Sequence, residues 1–163
     1  MLRSLSRIAG LVLVTGALAV GFNASAAGAV DDLVKQADKA MQDGKYKVAL
    51  AALDQAIATA PDRIDLYGKR ARVNDERGEF DKALDDANKM IQMAPNDAAG
   101  YMIRASVYRR NEKYDEALAD ANKAIELNPK SADAYYLRSD IYNDMGKTAE
   151  AKADETRANS LDR

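Results

Sequence analysis

Tyr101–Pro129 reads YMIRASVYRRNEKYDEALADANKAIELNP, and its apolar residues fall into two short series. Tyr101, Ala105 and Tyr108 recur at spacings of four and three; Tyr114, Ala117, Leu118, Ala121, Ala124 and Ile125 do the same further on. Each series is one face of an amphipathic helix turning once in about 3.6 residues. The polar segment Asn111-Glu112-Lys113 separates them, and Pro129 ends the second, because proline brings no amide hydrogen to the helical ladder. The stretch is a helical hairpin.

The hairpin is one of a set. The chain's three prolines, Pro61, Pro95 and Pro129, stand 34 residues apart. With the proline counted as position 32 of a unit, the units are residues 30–63, 64–97, 98–131 and 132–163. The columns agree. Position 4 holds Leu33, Tyr67, Tyr101 and Tyr135; position 8 holds Ala37, Ala71, Ala105 and Ser139; position 20 is Ala49, Ala83, Ala117 and Ala151. Gly44, Gly78 and Gly146 occupy position 15, between the two helices of a unit, where a residue at positive φ costs glycine least; Glu112 replaces it in the third unit.

One column pair carries a specific expectation. Position 7 is Gln36, Arg70, Arg104 and Arg138, while position 23 is Ala52, Asp86, Asp120 and Asp154. Arginine and aspartate occur together or not at all, so a pair between the two helices of a unit is expected, with the ~0.2–1 kcal/mol typical of exposed ion pairs.

These columns together resemble the tetratricopeptide repeat, whose period is 34 residues. The match is fullest over Tyr101–Pro129: a large residue at 4, a small one at 8, tyrosine at 11, an aromatic at 17, alanines at 20 and 27, and proline at 32. Ala40 and Asn74 at position 11 and Glu112 at position 15 depart from it. The resemblance implies an all-α fold, a right-handed α-α superhelix of four hairpins. It also implies that the first helices line a concave groove that binds extended or helical peptides, at positions 2, 5, 6, 9, 12 and 13. Carried over, the partner-binding candidates are Lys69, Arg72, Met102, Ile103, Ser106, Arg109, Arg110, Tyr136, Leu137 and Asp140. Met102, Ile103, Tyr136 and Leu137 are expected as an apolar floor, with Arg72, Arg109 and Arg110 beside it to receive acidic groups. The clamp by which some members of the family grip a C-terminal carboxylate is not expected. Its positions hold Val34, Asp38, Lys69, Ala99 and Ile103 in one register, and Gly68, Arg72, Ile103, Asp133 and Leu137 in the other.

The array has an expected end. Positions 21, 24 and 28 are apolar in three units (Leu50, Leu53, Ile57; Leu84, Ala87, Ile91; Leu118, Ala121, Ile125) and become Lys152, Glu155 and Asn159 in the fourth. A last helix with a polar outer face suits a cap, so no fifth unit is expected.

Ahead of the repeats the chain changes character. MLRSLSR carries two arginines, Ile8–Phe22 is uncharged and mostly apolar, and small residues follow through Val30. This is the three-part pattern of a signal peptide, expected over residues 1–26 with cleavage after Ala26 or, alternatively, Ala29. The 15-residue apolar run is short of the ~20 residues that span a bilayer, which weighs against an uncleaved anchor, the one route to a membrane. A periplasmic or secreted protein is expected.

Composition narrows the chemistry. There is no cysteine and no histidine, so thiolate nucleophiles, Cys-type zinc sites and the commonest general base are missing. No metal site or cofactor is expected, and catalysis is not expected. A formal charge of −2 gives no basic face for nucleic acid. Two readings remain: an exported adaptor holding a peptide or protein partner in its groove, or a structural subunit that associates with itself or within a larger cell-envelope assembly through its convex or N-terminal surface.

Overall fold

The computed structural model describes residues 17–162. They form eight helices and no strand: α1 (Ala17–Gln42), α2 (Tyr46–Thr59), α3 (Ile64–Glu76), α4 (Phe80–Met93), α5 (Ala98–Arg110), α6 (Tyr114–Leu127), α7 (Ala132–Asp144) and α8 (Thr148–Leu161). Three of the first helices thus begin at residues 64, 98 and 132, where the proline count opens a unit. The exception is α1. It starts at Ala17, well before Val30, because the alanine-rich segment contains no proline and alanine is the best helix former. The export segment expected over residues 1–26 lies for the most part outside the described residues. Among the described residues no helix is long and apolar enough to cross a membrane.

Each hairpin turns in the same way. Lys45, Glu79, Lys113 and Lys147 donate their backbone N–H to the carbonyls of Ala40, Asn74, Tyr108 and Tyr142, at 2.7, 2.9, 2.9 and 2.8 Å. This six-to-one bond requires a left-handed residue just before the donor. Gly44, Gly78 and Gly146 supply it at φ 70–74°, and Glu112 is forced to φ 58°. Each proline sits one residue beyond the C-cap of its unit's second helix, and the following unit takes hold of the first two. The hydroxyls of Tyr67 and Tyr101 donate to the Pro61 and Pro95 carbonyls at 2.9 and 3.2 Å.

Packing follows the columns. The two helices of each hairpin lie together, each second helix also packs on the next first helix, and α3, α5 and α7 touch in sequence. The first helices therefore form an inner layer and the second helices an outer one, a superhelix of helical hairpins. The fully buried Ala37, Ala71, Ala105, Ala49, Ala83 and Ala117 let the backbones approach. At position 10, Val73 packs into the cluster of Ala37, Ala49 and Leu53, and Ile141 into that of Ala105, Ala117 and Ala121, so each joins its unit to the one before.

The arginine of position 7 is a second join. Arg104 donates from Nε and Nη2 to both oxygens of Asp120 at 2.7 and 2.8 Å, and from Nη1 to Asn88 Oδ1 at 2.7 Å. Arg138 repeats this with Asp154 and Asn122, and Arg70 with Asp86 and Asp54. Each guanidinium also lies over the position-4 ring of its own unit, 5.6–5.8 Å from its centre. The expected pairs are present, but they are not exposed. Asp86, Asp120 and Asp154 are 4–6% accessible, and the third contact reaches the preceding unit. The exposed-pair magnitude therefore does not apply to them.

Both faces at the array's ends are polar. Lys152, Glu155 and Asn159 are exposed on α8. At the other end Asp32 and Lys39 are exposed at columns that bury Leu66 and Ala134, and Val73, Val107 and Ile141, in the later units.

Candidate functional site

The inner layer carries the side chains that the repeat does not use for its own packing. Position 5 and 6 residues of the neighbouring first helices α5 and α7 stand at a groove between them. Met102, Ile103 and Ser106 of α5, Leu137 of α7, and Arg72 and Asp75 of α3 line one cavity there, of about 210 Å³. Its floor is closed by Val107, which is 1% exposed. Gly68 lets Ile103 approach: a Cβ at residue 68 would stand 3.1 Å from Ile103 Cδ1 and 3.3 Å from Met90 Cε. Met102, Ile103 and Leu137 are only half-buried, so three apolar side chains face the groove together.

The charged residues sort themselves into bridges between units. Lys69 donates to Asp38 Oδ1 at 2.6 Å. Arg110 lies 2.9 Å from Glu76 and 3.4 Å from Asp75, and Arg109 lies 3.3 Å from Asp144 and 3.6 Å from Asp140. Arg109 and Arg110 thus each face acidic side chains of a neighbouring unit, while the buried Nε of Arg109 has no hydrogen-bond partner among the described residues. Arg72 differs: it is exposed and has no ion-pair partner among the described residues. Asp75, beside it, is buried, and burial pushes its carboxyl above the usual range, with the Arg110 guanidinium opposing.

Tyr136 does not join the apolar floor. Its hydroxyl donates to Asn159 Oδ1 at 2.9 Å and approaches Asp162 Oδ2 at 3.4 Å, so the ring leans toward the C-terminal end of α8. Desolvation, with the Asp162 carboxylate behind it, pushes the phenol above its ordinary value. The sequence columns place Tyr136 on the groove face but carry no signal for that turn, since Asn159 and Asp162 belong to the one unit whose outer face is polar. Asp75, which lines the cavity at position 12, reads in the sequence as one more helix-surface acid.

The molecule is a solenoid of helical hairpins with an inner groove. Models described as tetratricopeptide repeat match residues 34–98, 98–131 and 121–153, and the chain belongs to the tetratricopeptide repeat family. Solved structures share the fold. TTC0263, a thermophilic repeat protein of Thermus thermophilus, superposes with a TM-score of 0.73 at 21% identity, over 81% of this chain and 74% of its own. MamA (residues 41 to the end) from Desulfovibrio magneticus RS-1 gives 0.68 at 18% identity, over 82% and 76%. The first repeat domain of Spaghetti (RPAP3), bound to the HSP90 peptide SRMEEVD, gives 0.63 at 21% identity, over 72% and 93%. No curated protein matches the chain. As a member of this family the chain is a protein-interaction module.

Proposed function

We propose that the protein is an exported adaptor whose inner groove holds a segment of a protein partner, centred on Met102, Ile103 and Leu137. The observation that carries this reading is the cavity itself: half-buried apolar side chains collected beside an arginine with no ion pair of its own among the described residues. Exposed apolar groups grouped in a concave site are where binding energy concentrates. A structure of the same fold holding an HSP90 peptide supports an occupant of peptide size. The occupant here differs from a carboxylate-clamped tail, because the clamp positions hold Val34, Asp38, Lys69, Ala99 and Ile103 in one register and Gly68, Arg72, Ile103, Asp133 and Leu137 in the other, neither of which is the clamp set. The polar faces at both ends argue against one form of self-association, end to end along the array.

Export rests on the arginines, the apolar run and the small residues of the first 26 positions. Sequencing the N-terminus of the protein recovered from its host tests it: a start at Ala27 or Val30 supports export, and a start at Met1 overturns cleavage. The groove is tested by recovery of partners from the native envelope with the wild type and with Arg72→Glu/Met102→Ser. Loss of one specific partner with the melting curve unchanged supports the groove; equal recovery removes it.

A further inference from the structure

Position 9 of the repeat changes chemistry from unit to unit: Asp38, Arg72, Ser106 and Asp140. Ile103 and Ser106 on α5, like Leu137 and Asp140 on α7, are three residues apart and share a face of their helix. Arg72 and Ser106 line the cavity of about 210 Å³ together with Met102, Ile103 and Leu137. The row therefore crosses the apolar patch, with the short Ser106 at its middle and Arg72 and Asp140 on opposite sides.

Those two charges differ in sign, and neither is fully matched. The other inner-face carboxylates near the start of the row face other cations. Asp38 accepts from Lys69 at 2.6 Å, and Glu76 and Asp75 lie 2.9 and 3.4 Å from Arg110. Arg72 itself is exposed and has no ion-pair partner among the described residues. On α7 one guanidinium, that of Arg109, stands 3.6 Å from Asp140 and 3.3 Å from Asp144, and the Asp140 side chain stays 56% exposed. Two carboxylates share one cation, so a negative charge is left over on that side. Charge complementarity across an interface fixes the register of a partner and rejects like charges. A segment laid along the row meets a cation, an apolar floor and an anion in that order.

We propose that the groove takes a peptide segment of a protein in which one large apolar residue stands between an acidic and a basic residue. The carboxylate goes to Arg72, the apolar side chain to Met102, Ile103 and Leu137, and the basic group to Asp140. The motif presupposes that the inner groove is the binding face, and adds which sequence that face selects. Arg72 and Asp140 stand two first helices apart, at most about 20 Å for neighbouring axes about 8–10 Å apart.

The test is selection by the immobilised protein from a phage-displayed library of random sequences of about 16 residues, enough to cover about 20 Å in extended or helical form. Expected from the wild type are peptides with an acid and a base on opposite sides of a large apolar residue. Arg72→Glu should select a base on both sides, and Asp140→Lys an acid without the base; both replace exposed side chains. A peptide selected by the wild type should bind each variant about tenfold more weakly, read by fluorescence anisotropy of the labelled peptide. Met102→Ser, with the melting curve unchanged, should lose the apolar preference. Apolar residues enriched without opposite flanking charges, or flanking charges that Arg72→Glu leaves as they were, would overturn the charge code; loss of the apolar preference in Met102→Ser would still keep the groove. The same peptides from the wild type and Met102→Ser, or no enrichment at all, would remove the groove and the motif with it.

Discussion

Replacing Arg104 by methionine, Asp120 by leucine, and both together measures what the repeated arginine contributes. Asp120 is 6% exposed and takes two short bonds from one guanidinium, so Arg104→Met strands a buried carboxylate. Breaking a buried pair from one side costs about 3–5 kcal/mol. Asp120→Leu costs less, about 1–2 kcal/mol, because the Arg104 side chain is 24% exposed and keeps Asn88. The double variant leaves two apolar side chains face to face, a replacement that is often close to neutral, so its cost is about 2 kcal/mol or less. The two single losses should then exceed the double by about 3 kcal/mol, at the upper end for residues in contact. Urea unfolding of the four proteins gives the number, with the slope checked for constancy because repeat arrays can unfold in parts. A coupling below about 1 kcal/mol would refute the reasoning, since that is the range of an exposed pair.

Glu112→Gly should stabilise the protein by about 1 kcal/mol, because the glutamate holds φ 58° where glycine is at ease. Its thermal midpoint should rise by about 2–4 °C. Ala117→Leu should destabilise by about 1–3 kcal/mol, since Ala117 is fully buried between the helices of its hairpin; differential scanning calorimetry reads both. Burial raises the Asp75 carboxyl above its unfolded value. Its contribution to stability is therefore fully present below the ordinary carboxylate range and is lost as pH rises through the raised folded value. Asp75→Asn removes that loss, so urea midpoints of variant and wild type should lie close together at acid pH and separate in the variant's favour toward neutrality.

The hairpins were legible because packing repeats: Ala49, Ala83, Ala117 and Ala151 sit where two backbones must approach, and a repeated constraint shows as a column. Arg104 and Asp120 were legible for the same reason, their columns being empty together in the first unit. Their burial was not, because accessibility depends on what the neighbouring unit covers. The third ligand was within reach of the same method. Asp54, Asn88 and Asn122 stand 16 residues before each arginine, as the aspartates stand 16 after, but the change from acid to amide hides them from a search for charge pairs. Asp32 and Lys39 likewise mark the N-terminal face as clearly as Lys152 and Glu155 mark the other. On the inner face, the positions that the family resemblance gave for Met102, Ile103 and Leu137 are ones the structure gathers around one cavity. Tyr136 shares their columns but turns its hydroxyl to Asn159 and Asp162 instead of lining that cavity.

A photo-reactive phenylalanine analogue placed at residue 102, and in a second protein at residue 115, tests the groove most directly. Met102 lines the inner cavity, whereas Asp115 is exposed in the first turn of an outer helix. Irradiation in the host cell should join one specific protein to position 102 and not to position 115, and Arg72→Glu should weaken the product. The same products from both positions, or none from position 102 in protein that folds as the wild type, would contradict a binding groove on the inner face.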